Sequence, residues 1–306
     1  MKKDLLTMKS LTKNDILELL NLADQLKYEK NHGIPHPILK GKTLGMIFEK
    51  SSTRTRVSFE VGMNDLGGHP LFLSSNDLQI GRGEPICDTA RVLSRYLDCI
   101  MIRTYSQEEV ESLSKYSTIP IINGLTDLEH PCQVLADLMT IREYKNSFDN
   151  LKVCYIGDGN NMAHSLMIGC LKVGMDFAIA CPNEYLPLDD YIKYSEELSK
   201  ENGTKFKLTN SPREAAIDAD IVITDVWASM GQEKEAKKRQ EAFKGYTVDL
   251  DLMNIAKDDA IVLHCLPAHR GEEISSEVLD RYSPSIFDEA ENRLHVQKAV
   301  LVKLMS

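Results

Sequence analysis

The residues Ser51–Arg56, Ser-Ser-Thr-Arg-Thr-Arg, alternate hydroxyl and guanidinium groups within one short stretch. An apolar run at 44–48 before them predicts a buried strand, and the apolar spacing after them predicts a helix. Backbone N–H groups at a helix start and the helix dipole favour an anion. Hydroxyl donors and the planar fork of arginine match phosphate oxygens. The stretch therefore predicts a phosphate cradle, and the simpler alternative is that Ser52 or Thr53 only caps the helix.

Two further groups of polar side chains lie at predicted junctions between strands, loops and helices. Arg103 ends the predicted strand 99–103, and because burying a bare charge is costly, it should be paired with a bound anion or with a protein carboxylate. His130 and Gln133 lie one helical turn apart, so both could donate to one carbonyl oxygen, as in an oxyanion hole. The alternative for His130 is a structural histidine.

The stretch 157–162, Gly-Asp-Gly-Asn-Asn-Met, follows a predicted strand and opens a predicted helix, as a dinucleotide fingerprint does. Met162 stands where the third glycine should be, and the next strand ends without an acidic residue. These departures argue against a bound NAD. The amides of Asn160 and Asn161 are suited to holding a carboxylate, and the alternative is a tight turn that needs Gly and Asn for backbone reasons.

Three more residues follow predicted strands or begin the last predicted helix. Asp225 could hold an ammonium group, and Ser229 with the nearby backbone could hold a carboxylate, although Asp225 could also cap a turn. Cys265 ends a strand, and we interpret it as a small buried side chain rather than a nucleophile. Arg293 begins the last helix, where a solvated arginine is the default.

Composition excludes several classes of protein. The 306 residues are 42% hydrophobic and 27% charged, as in globular proteins, and the net charge of −10 does not attract nucleic acid or an anionic membrane. No apolar run approaches the roughly 18 residues of a membrane helix, and the N-terminus does not resemble a signal peptide. Seven cysteines without CxxC or zinc-type spacing predict reduced thiols in a cytoplasm.

The elements that must position these residues form two series of alternating strands and helices. Predicted strands of the first series are 43–49, 70–73, 99–103 and 119–123, and those of the second are 151–156, 176–181, 205–208, 219–225 and 260–265. Such alternation predicts two doubly wound parallel-sheet α/β domains with a cleft between them, linked by long inter-domain helices. We expect one domain at 1–144, with the C-terminal helix 290–306 packing back on it, and the other at 145–289.

Seven motifs together carry a resemblance over nearly the whole chain. In order, they are Ser52-Thr53-Arg54-Thr55-Arg56, Met101-Ile102-Arg103-Thr104, His130-Pro131-Cys132-Gln133, Gly157-Asp158-Gly159-Asn160-Asn161, Asp225-Val226-Trp227-Ala228-Ser229-Met230-Gly231, His264-Cys265-Leu266-Pro267 and Glu291-Asn292-Arg293. In these motifs and their order the chain resembles the aspartate/ornithine transcarbamoylase family. The Ser-Met-Gly loop and His-Cys-Leu-Pro favour its ornithine-specific members.

The resemblance implies transfer of the carbamoyl group of carbamoyl phosphate to the δ-amino group of L-ornithine, giving L-citrulline and phosphate in arginine biosynthesis, without a metal or cofactor. It implies that domain 1–144 binds carbamoyl phosphate and domain 145–289 binds ornithine. The implied carbamoyl phosphate contacts are Ser52, Thr53, Arg54, Thr55, Gln79, Arg103, His130, Gln133, Cys265, Leu266 and Arg293. The implied ornithine contacts are Asn161, Asp225, Ser229 and Met230, and the implied catalytic residues are Arg103, His130, Asp225 and Cys265.

The resemblance also implies a homotrimer, or a multiple of trimers, in which the loop containing Gln79 reaches a neighbouring subunit's site, and a cis Leu266–Pro267 bond. Two alternatives stay open. A carbamoyltransferase for another amine such as putrescine would leave Asn161 and the Ser229-Met230 loop without a carboxylate to hold. A catalytically silent anion-binding subunit would not need Arg103, His130 and Cys265 intact.

Overall fold

The computed structural model describes residues 3–79, 83–228 and 235–306. The chain divides into two compact units, one of Met1–Ala136 with Glu291–Ser306 and one of Asp137–Ala290. It passes from the first unit to the second within one helix, Pro131–Lys145, and returns within another, Ser283–Met305. Each unit is an α/β structure built on one parallel sheet.

The sheet of the first unit has four parallel strands in the order β2-β1-β3-β4. Its strands are β1 (Thr43–Phe48), β2 (His69–Ser74), β3 (Cys99–Arg103) and β4 (Ile121–Leu125). Its helices are α1 (Lys13–Asn31), α2 (Thr53–Asp65), α3 (Ile86–Leu93) and α4 (Gln107–Tyr116), with the start of α5 (Pro131–Lys145) and the end of α12 (Ser283–Met305). The central strands β1 and β3 are buried because both faces of the sheet are covered, whereas the edge strand β2 is partly exposed.

The sheet of the second unit has five parallel strands in the order β7-β6-β5-β8-β9. Its strands are β5 (Lys152–Ile156), β6 (Asp176–Ala180), β7 (Phe206–Thr209), β8 (Ile221–Thr224) and β9 (Ile261–His264). Its helices include α6 (Asn161–Val173), α7 (Asp189–Asn202), α8 (Pro212–Ala216), α9 (Ala236–Ala242), α10 (Leu250–Met253) and α11 (Ser276–Arg281). Every residue of α6 is buried, including the polar side chains of Asn161, His164, Ser165 and Lys172.

Strand order reverses once in each sheet, between β1 and β3 in the first unit and between β5 and β8 in the second. In open α/β sheets, ligands bind beyond the carboxyl ends of the strands at such a switch point. The segments that follow these strands begin at residues 49, 104, 157 and 225. Each sheet therefore places the polar motifs of the sequence at the position where a ligand site is expected.

The prediction of two parallel-sheet α/β domains is confirmed, with differences at individual elements. Strand β4 begins at Ile121 rather than 119, because Pro120 has no N–H to donate to a ladder. The short helix α11 was not expected, and α12 begins at Ser283 rather than 290. Among the described residues, no helix is both long and apolar enough to cross a membrane.

Candidate active site

The predicted phosphate cradle lies at the N-terminus of α2, directly after β1. Ser52 is in an extended conformation and caps the helix, since its Oγ accepts a hydrogen bond from the Thr55 backbone N–H at 3.2 Å. Thr55 is buried, Arg54 is half-buried and Thr53 is exposed. Capping by Ser52 and an anion-binding helix start are therefore compatible, because the cap takes up one amide of the first turn.

Arg56, the second arginine of the stretch, takes a different direction from Arg54. Its Nε lies 2.9 Å from Oε1 of Glu60, one turn further along the helix, and its guanidinium carbon lies 3.7 Å from the ring centre of Phe72. Residues two apart on a helix point to different faces. The expectation that both arginines line one cradle is thus wrong for Arg56, which is satisfied on the exposed side of α2.

Three segments of the first unit meet at the hydroxyl of Thr55, and a fourth, the start of α5, joins them through Arg293. Arg103, at the end of β3, donates from Nη1 to Thr55 Oγ1 at 3.4 Å, and Arg293 donates from Nη2 to the same oxygen at 3.2 Å. Arg293 also donates from Nη1 to Oε1 of Gln133 at 2.6 Å. The default expectation of a solvated Arg293 is wrong, since the residue is only 3% exposed. The Gln133 oxygen faces an arginine, so only its amide nitrogen can act as the donor that the sequence suggested.

His130 is buried next to this group, in the loop before α5. Burial lowers the pKa of its imidazole well below the ordinary value, and the positive charges of Arg293, Arg103, Arg54 and Lys50 lower that pKa further. His130 is therefore neutral at physiological pH and can donate one ring N–H. Four cations close enough to act on one imidazole also form a local site that attracts an anion to an otherwise acidic protein.

Lys50 was not among the residues predicted from sequence. It is buried, its Nζ lies 2.6 Å from Oδ1 of Asp127 and 4.5 Å from the ring centre of Tyr105. The only signal for Lys50 in the sequence was its position directly after the predicted strand 43–49. The predicted residue Gln79 is exposed, and within the described part of the chain it does not join the hydrogen-bonded group around Thr55.

In the second unit, the predicted residues Asp225 and Cys265 are in direct contact. The Cys265 thiol donates to Oδ1 of Asp225 at 3.0 Å, and the Val226 N–H donates to the same oxygen at 2.8 Å. Burial raises the pKa of the Cys265 thiol well above its ordinary value, and the adjacent Asp225 carboxylate raises it further. The thiol is therefore protonated at neutral pH, which agrees with our interpretation that Cys265 is not a nucleophile.

The two asparagines after β5 have different positions. Asn160 caps α6 by accepting from the N–H groups of Met162 and Ala163, at 2.9 and 3.3 Å, and its Nδ2 donates to Oδ2 of Asp225 at 3.1 Å. The turn-forming role thus belongs to Asn160, which also orients Asp225. Asn161 is the first residue of the helix and is 9% exposed.

The turn after β9 is held by the His264 ring. Nδ1 of His264 accepts from the Leu266 N–H at 2.9 Å, while Nε2 lies 3.0 Å from Oε1 of Glu273. The Leu266–Pro267 bond is cis, as the resemblance implied. Asp225, His264 and Cys265 also bring one potential metal-ligand atom each within 4.8 Å of the others. Hydrogen bonds already use both ring nitrogens of His264, so we assign no metal to this group.

The loop that follows Asp225 is held at its start by Arg239 of α9. This buried arginine donates to Oδ2 of Asp158 at 2.6 Å and to the Trp227 backbone oxygen at 2.8 Å. Burial raises the pKa of Asp158 to about 6, although Arg239 acts in the opposite direction. The predicted contacts Ser229 and Met230 lie outside the described residues.

Comparison with known proteins covers nearly the whole chain. A family model described as the carbamoyl-P binding domain of aspartate/ornithine carbamoyltransferase matches residues 3–143, and one described as the Asp/Orn binding domain matches residues 149–304. An ornithine carbamoyltransferase of Carboxydothermus hydrogenoformans is 57% identical over 303 residues, which are 99% of this chain and 97% of that protein.

Two solved structures are similar over almost the full length. The ornithine carbamoyltransferase from Pyrococcus furiosus has a TM-score of 0.95 at 53% identity, covering 99% of this chain and 96% of that one. The anabolic ornithine carbamoyltransferase from Campylobacter jejuni has a TM-score of 0.94 at 44% identity, covering 99% of both chains. The chain therefore belongs to the aspartate/ornithine carbamoyltransferase family.

Proposed function

We propose that the protein transfers the carbamoyl group of carbamoyl phosphate to the δ-amino group of L-ornithine, giving L-citrulline and phosphate. The observation that carries this proposal is the meeting of Arg103 and Arg293 at Thr55, beside the buried His130. This group has the charge and donors that a small dianionic acyl phosphate requires. The names of the similar proteins support the same reaction.

In the first unit, we assign binding of carbamoyl phosphate to the residues around the start of α2. The N-terminal amides of α2, with the Ser52, Thr53 and Arg54 side chains, would hold the phosphate oxygens. Arg103, His130 and Thr55 would stabilise negative charge on the carbonyl oxygen as the amine attacks. The family resemblance adds Gln79, Gln133 and Arg293 to this set, together with Cys265 and Leu266 of the second unit.

In the second unit, we assign ornithine to Asp225, Asn161 and the segment containing Ser229 and Met230. The δ-amine has a pKa of roughly 10, so it arrives as an ammonium ion and must lose one proton before it attacks. A protonated Cys265 thiol cannot accept that proton, which leaves the Asp225 carboxylate as the group that orients the ammonium ion and assists transfer of its first proton to water. The second proton leaves the nitrogen with the C–O bond cleavage, and the departing phosphate accepts it.

The rival substrate is a diamine such as putrescine, which has no α-carboxylate. The test is a steady-state comparison of ornithine and putrescine with carbamoyl phosphate at saturation, with citrulline and N-carbamoylputrescine measured separately. We expect efficient turnover of ornithine and a far smaller kcat/KM for putrescine. A higher kcat/KM for putrescine would reverse the assignment, and failure to form either product would indicate a catalytically silent subunit.

We also propose a homotrimer in which the loop with Gln79 contributes to a neighbouring subunit's site, consistent with the exposure of Gln79 in the single chain. Mixing inactive Gln79→Ala chains with inactive Arg103→Ala chains should restore activity, because some sites in mixed trimers would contain neither substitution. If mixed assemblies form but stay inactive, each site is built from one chain only.

Each domain is assigned one of the two substrates, and the protein is assigned to the cytoplasm. We assign carbamoyl phosphate to residues 1–144 with 290–306 and ornithine to residues 145–289, in line with the two matched family models. A cytoplasmic location agrees with the presence of all seven cysteines as free thiols. We assign no cofactor, since both substrates bring the groups that react, and we place the reaction in arginine biosynthesis.

A further inference from the structure

Gln297 lies on α12 one turn after Arg293, is fully buried, and belongs to none of the motifs discussed above. We propose that Gln297 is a positioning residue for the phosphate site: it holds the Arg293 guanidinium in place without neutralising its charge. This inference rests on the proposed function, because it assigns Arg293 to carbamoyl phosphate.

The contacts of the Gln297 amide determine its orientation. With its oxygen toward Arg293, Oε1 accepts from Nη2 at 2.9 Å and from Nε at 3.2 Å, while Nε2 donates to Oγ of Ser58 at 2.5 Å. The opposite orientation would place amide N–H groups against guanidinium N–H groups, and both are donors. The amide is therefore fixed between one arginine and one hydroxyl.

Ser58 connects this amide to the phosphate cradle. Its hydroxyl donates to the backbone oxygen of Arg54 at 2.6 Å, in the first turn of α2. The hydroxyl oxygen is left as the acceptor for Gln297. Gln297 thus links Arg293 to the start of α2, whose side chains we assign to phosphate binding.

Close packing between α2 and α12 restricts movement at this point. A Cβ atom added to Gly62 of α2 would lie 3.1 Å from Cγ of Lys298 and 3.4 Å from Cδ1 of Leu294. The contact with Lys298 would be tighter than an ordinary van der Waals distance, so the glycine permits the approach of the two helices. The distance between Gln297 and Ser58 is fixed by this packing, and with it the direction of the amide.

Three neutral acceptors surround the Arg293 guanidinium. Nη1 donates to Gln133, Nη2 donates to Thr55, and Nη2 with Nε donates to Gln297. A planar guanidinium held on several edges loses little further freedom when an anion binds. An amide at position 297 fixes the Arg293 guanidinium and leaves its positive charge available to an anion. A carboxylate at that position would form an ion pair with Arg293 and compete with phosphate.

The experiment compares Gln297→Met, which removes all three hydrogen bonds of the amide, with Gln297→Glu, which keeps the shape and adds a negative charge. Val300→Ala is the matched control, since Val300 is a fully buried residue of the same helix with no polar contact. The measurements are the KM for each substrate, kcat, and the affinity for inorganic phosphate by calorimetry. We expect the carbamoyl phosphate KM and the phosphate Kd to rise about tenfold in Gln297→Met and further in Gln297→Glu. The ornithine KM should be unchanged in both, and the control should change neither constant.

The outcomes separate the inference from the proposed function. If the parent enzyme forms citrulline and both Gln297 variants keep the carbamoyl phosphate KM within about twofold, Gln297 has only a structural role. If the parent forms no citrulline, the proposed function fails, while the phosphate affinities still test the role of Gln297. Should neither Gln297 variant fold, Ser58→Ala removes the second partner of the amide. We expect a rise of about threefold in the phosphate Kd of that variant, and an unchanged Kd would overturn the inference.

Discussion

Arg103 is the residue with the clearest chemical assignment, because it is buried at the end of β3 and meets Arg293 at Thr55. We expect Arg103→Ala to keep the fold and to lower kcat by about a hundredfold or more, since one donor to the developing oxyanion is lost. Arg91→Ala, which removes an exposed arginine paired with Asp88, should turn over like the parent. Circular dichroism of both variants tests whether the fold is kept, and steady-state kinetics measures kcat. Normal turnover of Arg103→Ala would exclude Arg103 from the mechanism.

A second prediction for a single residue concerns stability at acidic pH. Burial lowers the pKa of His295 to about 4 from an ordinary 6.5, although the hydrogen bond to Glu291 acts against this shift. Between these values the unfolded chain binds a proton that the folded chain does not. This difference lowers the free energy of unfolding as pH falls, by at most about 1.4 kcal/mol per pH unit.

His295→Gln should therefore match the parent near pH 7 and lose stability more slowly between pH 6.5 and about 4. Glutamine retains an N–H that can reach Glu291 but takes up no proton. Urea unfolding of both proteins at several pH values in this range is the measurement. Parallel pH profiles for the two proteins would show that His295 does not contribute to the acid sensitivity.

At the scale of elements, the turn after β5 depends on close contact with the loop before α7. A Cβ atom added to Gly159 would lie 2.2 Å from the Pro187 nitrogen and 2.3 Å from the Leu186 carbonyl carbon, and the Gly159 N–H donates to Tyr185. Backbone atoms cannot move aside as a side chain can. The glycine is thus required by the approach of two loops and not by its own dihedral angles.

We expect Gly159→Ala to lower the free energy of unfolding by about 3 kcal/mol and to raise the ornithine KM, since the same turn carries Asn160 and Asn161. Gly203→Ala is the comparison, because Gly203 has a φ of +67° and open space around its Cβ position. The strain at that angle should cost only about 1 kcal/mol. Equal losses in urea unfolding for the two variants would contradict the steric argument.

For the whole molecule, the C-terminal residues 291–306 belong to the same compact unit as residues 1–136. They contribute buried apolar side chains to it, among them Leu301. Leu301→Ala should lower the free energy of unfolding of the first unit by about 3 kcal/mol, because it leaves a cavity in that core. Hydrogen exchange should therefore accelerate in residues 1–136 more than in residues 137–290. The same acceleration in both units would show that they unfold together.

Much of the architecture could be predicted from the sequence, because strand and helix patterns depend on residues close together in the chain. The apolar strands, the capping residues and the polar motifs after strand ends were all visible, and they predict parallel sheets with ligand sites at the carboxyl edges. The errors were local: β4 begins after Pro120, and the short α11 has too few residues for a periodic signal.

Only the tertiary structure decided which neighbouring side chains act together. The alternation of hydroxyl and guanidinium groups does not distinguish Arg54 from Arg56, although the family resemblance named only Arg54 as a contact. Contact with Glu60 and Phe72 takes Arg56 away from the Thr55 group. Arg293 contacts Thr55 although 238 residues separate the two in the chain. Gln297 accepts hydrogen bonds from Arg293, but it lies in none of the motifs that the sequence showed. Residue types and short-range spacing determined the kinds of chemistry available to this protein. The side-chain directions depend on contacts between distant segments, and those contacts exist only once the chain has folded.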